Sequence, residues 1–150
     1  MDSYKIERDD LYYLLKQTET DKFVESMFAP DIFTVNYARF LDNMHARIME
    51  YDDEVKRNLL LLLMIKVIFY LRPLGDFSNR KMIEKVFNLD DRNLTKTETG
   101  MLKRYNTPLL KIMKRLAAGI NKGIFSNGHD NEIHNNDAFD FLKNVQGDTI

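Results

Sequence analysis

Six basic residues and no acidic one fall between Gly100 and His129: Lys103, Arg104, Lys111, Lys114, Arg115 and Lys122. Cations gathered in this way can take a carboxylate-rich protein surface or the phosphates of a nucleic acid. On a continuous helix Arg104, Lys111, Arg115 and Lys122 fall within about 40° of arc, because seven, eleven and eighteen residues are near-whole numbers of turns. Lys103 and Lys114 widen that stripe to about 120°. Leu102, Leu109, Ile112, Met113 and Leu116 lie opposite, as a core-facing side would. The chain then turns acidic, with Asp130, Glu132, Asp137, Asp140 and Asp148 against Lys143. Three uses of the stripe follow from this: a solvated face, a docking surface for an acidic partner or the acidic C-terminal segment, and a nucleic-acid contact. No stacking motif accompanies the stripe and no helix-turn-helix signature is present.

Other residues with chemical capability have simpler roles. There is no cysteine, which excludes disulfides and thiolate metal sites. None of the four serines stands in a G-x-S-x-G turn, and no glycine-rich phosphate loop occurs. Asp9-Asp10, Asp52-Asp53 and Asp90-Asp91 each fall at an expected helix start, where capping explains them better than acid–base catalysis. His129, Asp130, Glu132, His134 and Asp137 cluster in an asparagine-rich stretch but match no metal-ligand spacing, so no metal and no cofactor is expected. His45 sits beside the core position Met44 and reads as a boundary residue. Lys66 interrupts an apolar run and is expected to snorkel, stem packed and ammonium at the surface. No enzymatic site emerges from this set.

The elements that must position these residues are helical. Apolar residues recur at spacings of three and four almost throughout, and three prolines and six glycines interrupt them. Helices are expected over Asp9–Gln17 (Leu11, Leu14 and Leu15 inward) and Thr20–Phe28 (Phe23, Val24 and Met27 on one side). Ala29-Pro30-Asp31 breaks the chain. A third helix runs from near Thr34 to Glu50, its stripe formed by Tyr37, Phe40, Leu41, Met44 and Ile48. A fourth spans about Asp53–Leu71. From Leu59 to Leu71 only Lys66 is charged, over roughly 20 Å of helix against about 30 Å of hydrocarbon, so a buried central helix is expected and not a membrane span. Ser78 opens a fifth helix to about Phe87. Thr95-Lys96-Thr97-Glu98 forms a capping box before the sixth, which kinks or restarts at Thr107-Pro108, with Thr107 as N-cap and Pro108 in the first turn. Residues 121–136 read as a mobile loop, Asp137–Val145 as a last short helix, and 146–150 as a disordered tail.

Length and composition bound the rest. The chain has 150 residues, 44% hydrophobic and 30% charged, which suits one globular domain over 1–150. The net charge of −1 argues by itself for neither nucleic acid nor membrane. The N-terminus lacks the basic and apolar regions of a secretory signal, so an intracellular, cytoplasmic or nuclear, location is expected. The bias toward Asn, Lys, Asp and Ile is of the kind an AT-rich genome imposes, as in many viruses. The expectation is therefore an all-α, single-domain bundle of about six to seven helices around Leu59–Leu71. Its expected role is a non-enzymatic protein-interaction or regulatory module of viral type, binding a partner through an inter-helix groove or the basic face. The alternative is a nucleic-acid-associated accessory protein using the same stripe. Ten Phe and seven Tyr leave room for an exposed apolar patch, which keeps homo-oligomerisation open.

Overall fold

The computed structural model describes residues 4–71, 99–100, 103–104 and 106–124. Among them the chain is helical, with no strand, and five helices are defined: α1 (Arg8–Leu14), α2 (Phe23–Phe28), α3 (Val35–Met49), α4 (Glu54–Leu71) and α5 (Leu109–Gly123). Asp90-Asp91, the fifth helix expected from Ser78, the capping box at Thr95, the His129–Asp137 cluster and the C-terminal helix lie outside the described residues. No described helix is long and apolar enough to cross a membrane.

Packing follows from the apolar stripes. α3 rests on α1, α2 and α4, and α5 rests on α1 and α4, so α1, α3, α4 and α5 close a ring. The core fills that ring: Leu11 and Leu14 from α1, Leu41, Met44 and Ile48 from α3, Leu60, Leu63 and Val67 from α4, and Ile112, Met113 and Ala117 from α5. Burying side chains of this size contributes about 1.5–3 kcal/mol each before the entropy of ordering them is subtracted. Among the described residues α4 is thus one wall of a ring. It buries one side, while Leu62, Ile65 and Phe69 remain exposed. Lys66 is exposed too, so its ammonium needs no buried partner.

Helix starts show how local sequence sets the frame. Thr34 caps α3, its hydroxyl accepting the Tyr37 N–H at 3.3 Å. Asp53 caps α4 by accepting the N–H groups of Val55 (2.9 Å) and Lys56 (3.1 Å). α2 is shorter than expected. It begins at Phe23 after Lys22, which adopts a left-handed conformation (φ 55°), and its cap comes from α3: Asp42 accepts the N–H groups of Val24 (2.7 Å) and Glu25 (2.9 Å). With the cap on α3's side, Phe23 and Met27 turn outward instead of joining the core.

Buried and half-buried polar side chains brace the connections. Asn43 accepts from Thr18 N–H (2.7 Å) and donates to the carbonyls of Leu14 (3.2 Å) and Lys16 (2.8 Å). Arg47 donates to the carbonyls of Lys16 and Gln17 and pairs with Glu50. Asp10 is more than a helix-dipole partner. It is buried, meets Lys56 at 2.6 Å, and accepts from the Tyr51 hydroxyl at 3.0 Å. Residues 121–123, expected to begin a loop, close α5 instead. Asn121 is held there because its amide both accepts from and donates to the Ile6 backbone, at 2.9 Å each way.

Candidate anion-binding site

α5 does not continue the preceding helical residues directly. Asn106, Thr107 and Pro108 form a turn, and Pro108, not Thr107, is the N-cap. The Thr107 hydroxyl points backward and donates to the Lys103 carbonyl at 2.6 Å, while Thr107 N–H reaches the Arg104 carbonyl at 3.1 Å. This closes the earlier turn and leaves the α5 N-terminus without a side-chain cap. The stripe drawn on one ideal helix is therefore divided.

Four of the six basic residues come together. Lys103, Arg104, Lys111 and Arg115 line a concavity of about 750 Å³ with Tyr70, Gly100, Thr107 and Ile112. Tyr70, on the last turn of α4, anchors the cluster. The Arg104 guanidinium lies 5.6 Å from its ring centroid and that of Arg115 4.8 Å, both within cation–π range. Lys103, Lys111 and Arg115 are exposed and Arg104 is half-buried. No carboxylate among the described residues pairs with any of the four; the ion pairs found there are Arg39–Glu25, Arg47–Glu50 and Lys56–Asp10.

The other two cations go elsewhere. Lys114 faces α1, its ammonium 5.6 Å from the Tyr12 ring centroid. With Arg8, whose hydrogen bond to Tyr12 is the larger influence, it holds the Tyr12 phenol below its ordinary ionisation range. Lys122 is exposed in the last turn of α5, where a cation complements the negative helix end.

Lys111 is placed in the opposite sense. It occupies the first turn of α5, which contains no acidic residue, so a positive side chain sits at the positive end of the helix dipole. Lys111 and Arg115 are also one turn apart, a spacing at which like charges repel. Among the described residues the result is an excess of positive charge over a concave surface, of the sort that suits an anion.

Sequence reasoning found the cations but not Tyr70. Nothing in the local pattern around Tyr70 signals that it meets residues 104 and 115; only the packing of α4 on α5 brings them together. Asp42 and Asn43 were missed for the same reason, since their partners lie 17 to 29 residues away.

A second concave feature is the groove between α2, α3 and α4. It has a volume of about 600 Å³ and is lined by Phe23, Val24, Phe28, Ile32, Phe33, Leu41, Met64 and Ile68, with Asp21, Asp42 and His45 as its polar members. Both Asp42 oxygens are occupied by the α2 cap. No group of three or more metal-ligating side chains occurs among the described residues. Among the described residues the chain is helical, and its concavities include a recess lined by cations and an apolar groove. No protein-family model, curated protein or solved structure matches the chain.

Proposed function

We propose that this domain is a non-enzymatic, intracellular interaction module that captures an acidic partner protein at the basic concavity. The observation that carries the proposal is the convergence of Lys103, Arg104, Lys111 and Arg115 on Tyr70 without a carboxylate partner among the described residues. A cluster that disfavours its own helix start is expected where binding and not stability selected the residues. A regulatory role without catalysis is supported by how the buried polar side chains are used: Asp10, Asp42 and Asn43 are all engaged in caps and braces, as is the half-buried Asn121. The reading includes the full bundle of six to seven helices around Leu59–Leu71. The buried row Leu60, Leu63, Met64 and Val67 supports it, and Leu62 and Ile65 are exposed residues a further helix would cover.

The test is binding of a labelled polyglutamate peptide by fluorescence anisotropy. The wild-type domain binds it, and the triple variant Arg104→Glu/Lys111→Glu/Arg115→Glu does not. Equal binding by both rejects the proposal.

The nucleic-acid reading draws on the same cations. Four phosphate contacts would cost about two orders of magnitude in affinity between roughly 50 and 200 mM salt. A duplex or single-stranded oligonucleotide titrated across that range separates the two readings.

A further inference from the structure

We propose that the basic concavity is a receptor for a phosphorylated segment of a partner protein, an inference that rests on the concavity being the working surface. Charge density is the first argument. Arg104, Arg115, Lys103 and Lys111 surround one recess with no carboxylate among the described residues to neutralise them. An Asp or Glu side chain brings a single charge, whereas a phosphomonoester brings about 1.5 to 2 charges and three strong acceptor oxygens.

Geometry is the second argument. Both guanidiniums are held against the Tyr70 ring, at 5.6 Å and 4.8 Å. Guanidiniums are planar forks that match phosphate oxygens in pairs, and fixing them beforehand removes part of the ordering cost of binding.

The same contacts argue against a nucleic-acid strand. Single-stranded recognition needs an aromatic face on which bases stack and a cationic track along the backbone. Tyr70, the aromatic residue among the described lining of the recess, is already engaged by two arginines. Lys114 leaves for Tyr12 and does not extend a track. A membrane headgroup fits less well too, because the apolar side of α5, with Ile112 and Met113, is buried in the core and cannot insert.

The experiment titrates the whole chain with three versions of one short labelled peptide, carrying phosphoserine, glutamate or serine at its centre. A single-stranded oligonucleotide and vesicles containing anionic phospholipid serve as separate probes. The phosphopeptide is expected to bind about tenfold more tightly than the glutamate peptide, and inorganic phosphate to displace it at constant ionic strength. Arg115→Lys keeps the charge but loses the fork, so that preference is expected to shrink to about threefold or less. Lys122→Gln is expected to leave it unchanged. Should Arg115→Lys fail to fold, Lys103→Gln and Lys111→Gln replace it, each lowering phosphopeptide affinity. Equal affinity for phosphoserine and glutamate peptides overturns the phosphate preference while leaving the acidic-partner reading standing. Binding of neither overturns both, and tighter binding of the oligonucleotide or the vesicles overturns the inference in favour of that ligand.

Discussion

Replacing Lys111 by glutamate is expected to stabilise the domain while weakening its binding. Lys111 is the third residue of α5, whose N-cap is Pro108 and whose first turn has no acid. A charge at a helix end is worth about 0.3–1 kcal/mol, so reversing its sign removes one penalty and adds one gain, about 0.6–2 kcal/mol together. The new glutamate would stand four residues before Arg115, the favourable order for a helical ion pair, adding about 0.3–0.5 kcal/mol. Pro108 has no N–H, so a capping-box bond contributes nothing further. A net gain of about 1–2.5 kcal/mol corresponds to a rise in Tm of about 2–10 °C for a chain of this length. Circular dichroism melts of wild type and Lys111→Glu at about 20 mM and about 1 M sodium chloride measure it. The gain should shrink strongly at high salt, where the screening length falls to about 3 Å. A variant no more stable than wild type at low salt, or a gain independent of salt, refutes the electrostatic account of the cluster.

Three further outcomes follow from the braces. Asn43→Ala removes the partner of the Thr18 N–H and the Leu14 carbonyl and leaves the Lys16 carbonyl to Arg47, and should cost about 2–3 kcal/mol in urea unfolding. A loss below about 0.5 kcal/mol would show that solvent replaces those bonds. Tyr51 is held well above its ordinary range by burial, then by the Asp10 carboxylate. The unfolded chain therefore releases a proton near pH 10 that the folded chain keeps, and stability falls as pH rises above that value. Tyr51→Phe should remove that part of the alkaline slope, and an unchanged slope contradicts the assignment. Glu50 lies below the usual carboxylate range, chiefly through its hydrogen bond from Tyr13 and then from Arg47. Glu25 does so through Arg39. Both contributions are complete above about pH 5 and are lost as pH falls through the depressed values. Arg39→Gln should make the acid transition shallower, and an identical transition counts against the Glu25 pairing.

Much of the frame was legible where the determinants are local. Thr34 and Asp53 mark the starts of α3 and α4 by side chains two or three residues from the amides they cap. The row Leu41, Met44 and Ile48 is buried as its spacing implies. The break at Thr107-Pro108 was readable as well, but not the direction of the Thr107 hydroxyl, which turns back to Lys103 and divides the stripe. What escaped the sequence depends on distant partners. Phe23 and Met27 have core-like types but are exposed, because Asp42 places the α2 cap. Asp10 resembles a helix-dipole acid until Lys56 and Tyr51 are seen to enclose it. Tyr70 becomes part of the candidate site only when α4 and α5 pack.

The central claim is that this concavity is where the domain meets an acidic partner, and a nuclear magnetic resonance titration with unlabelled polyglutamate peptide tests it most directly. The account predicts shift changes concentrated at Tyr70, Arg104, Lys111 and Arg115, suppressed by salt. No change there, or changes centred on the apolar groove at Phe28, Leu41 and Met64, would contradict it.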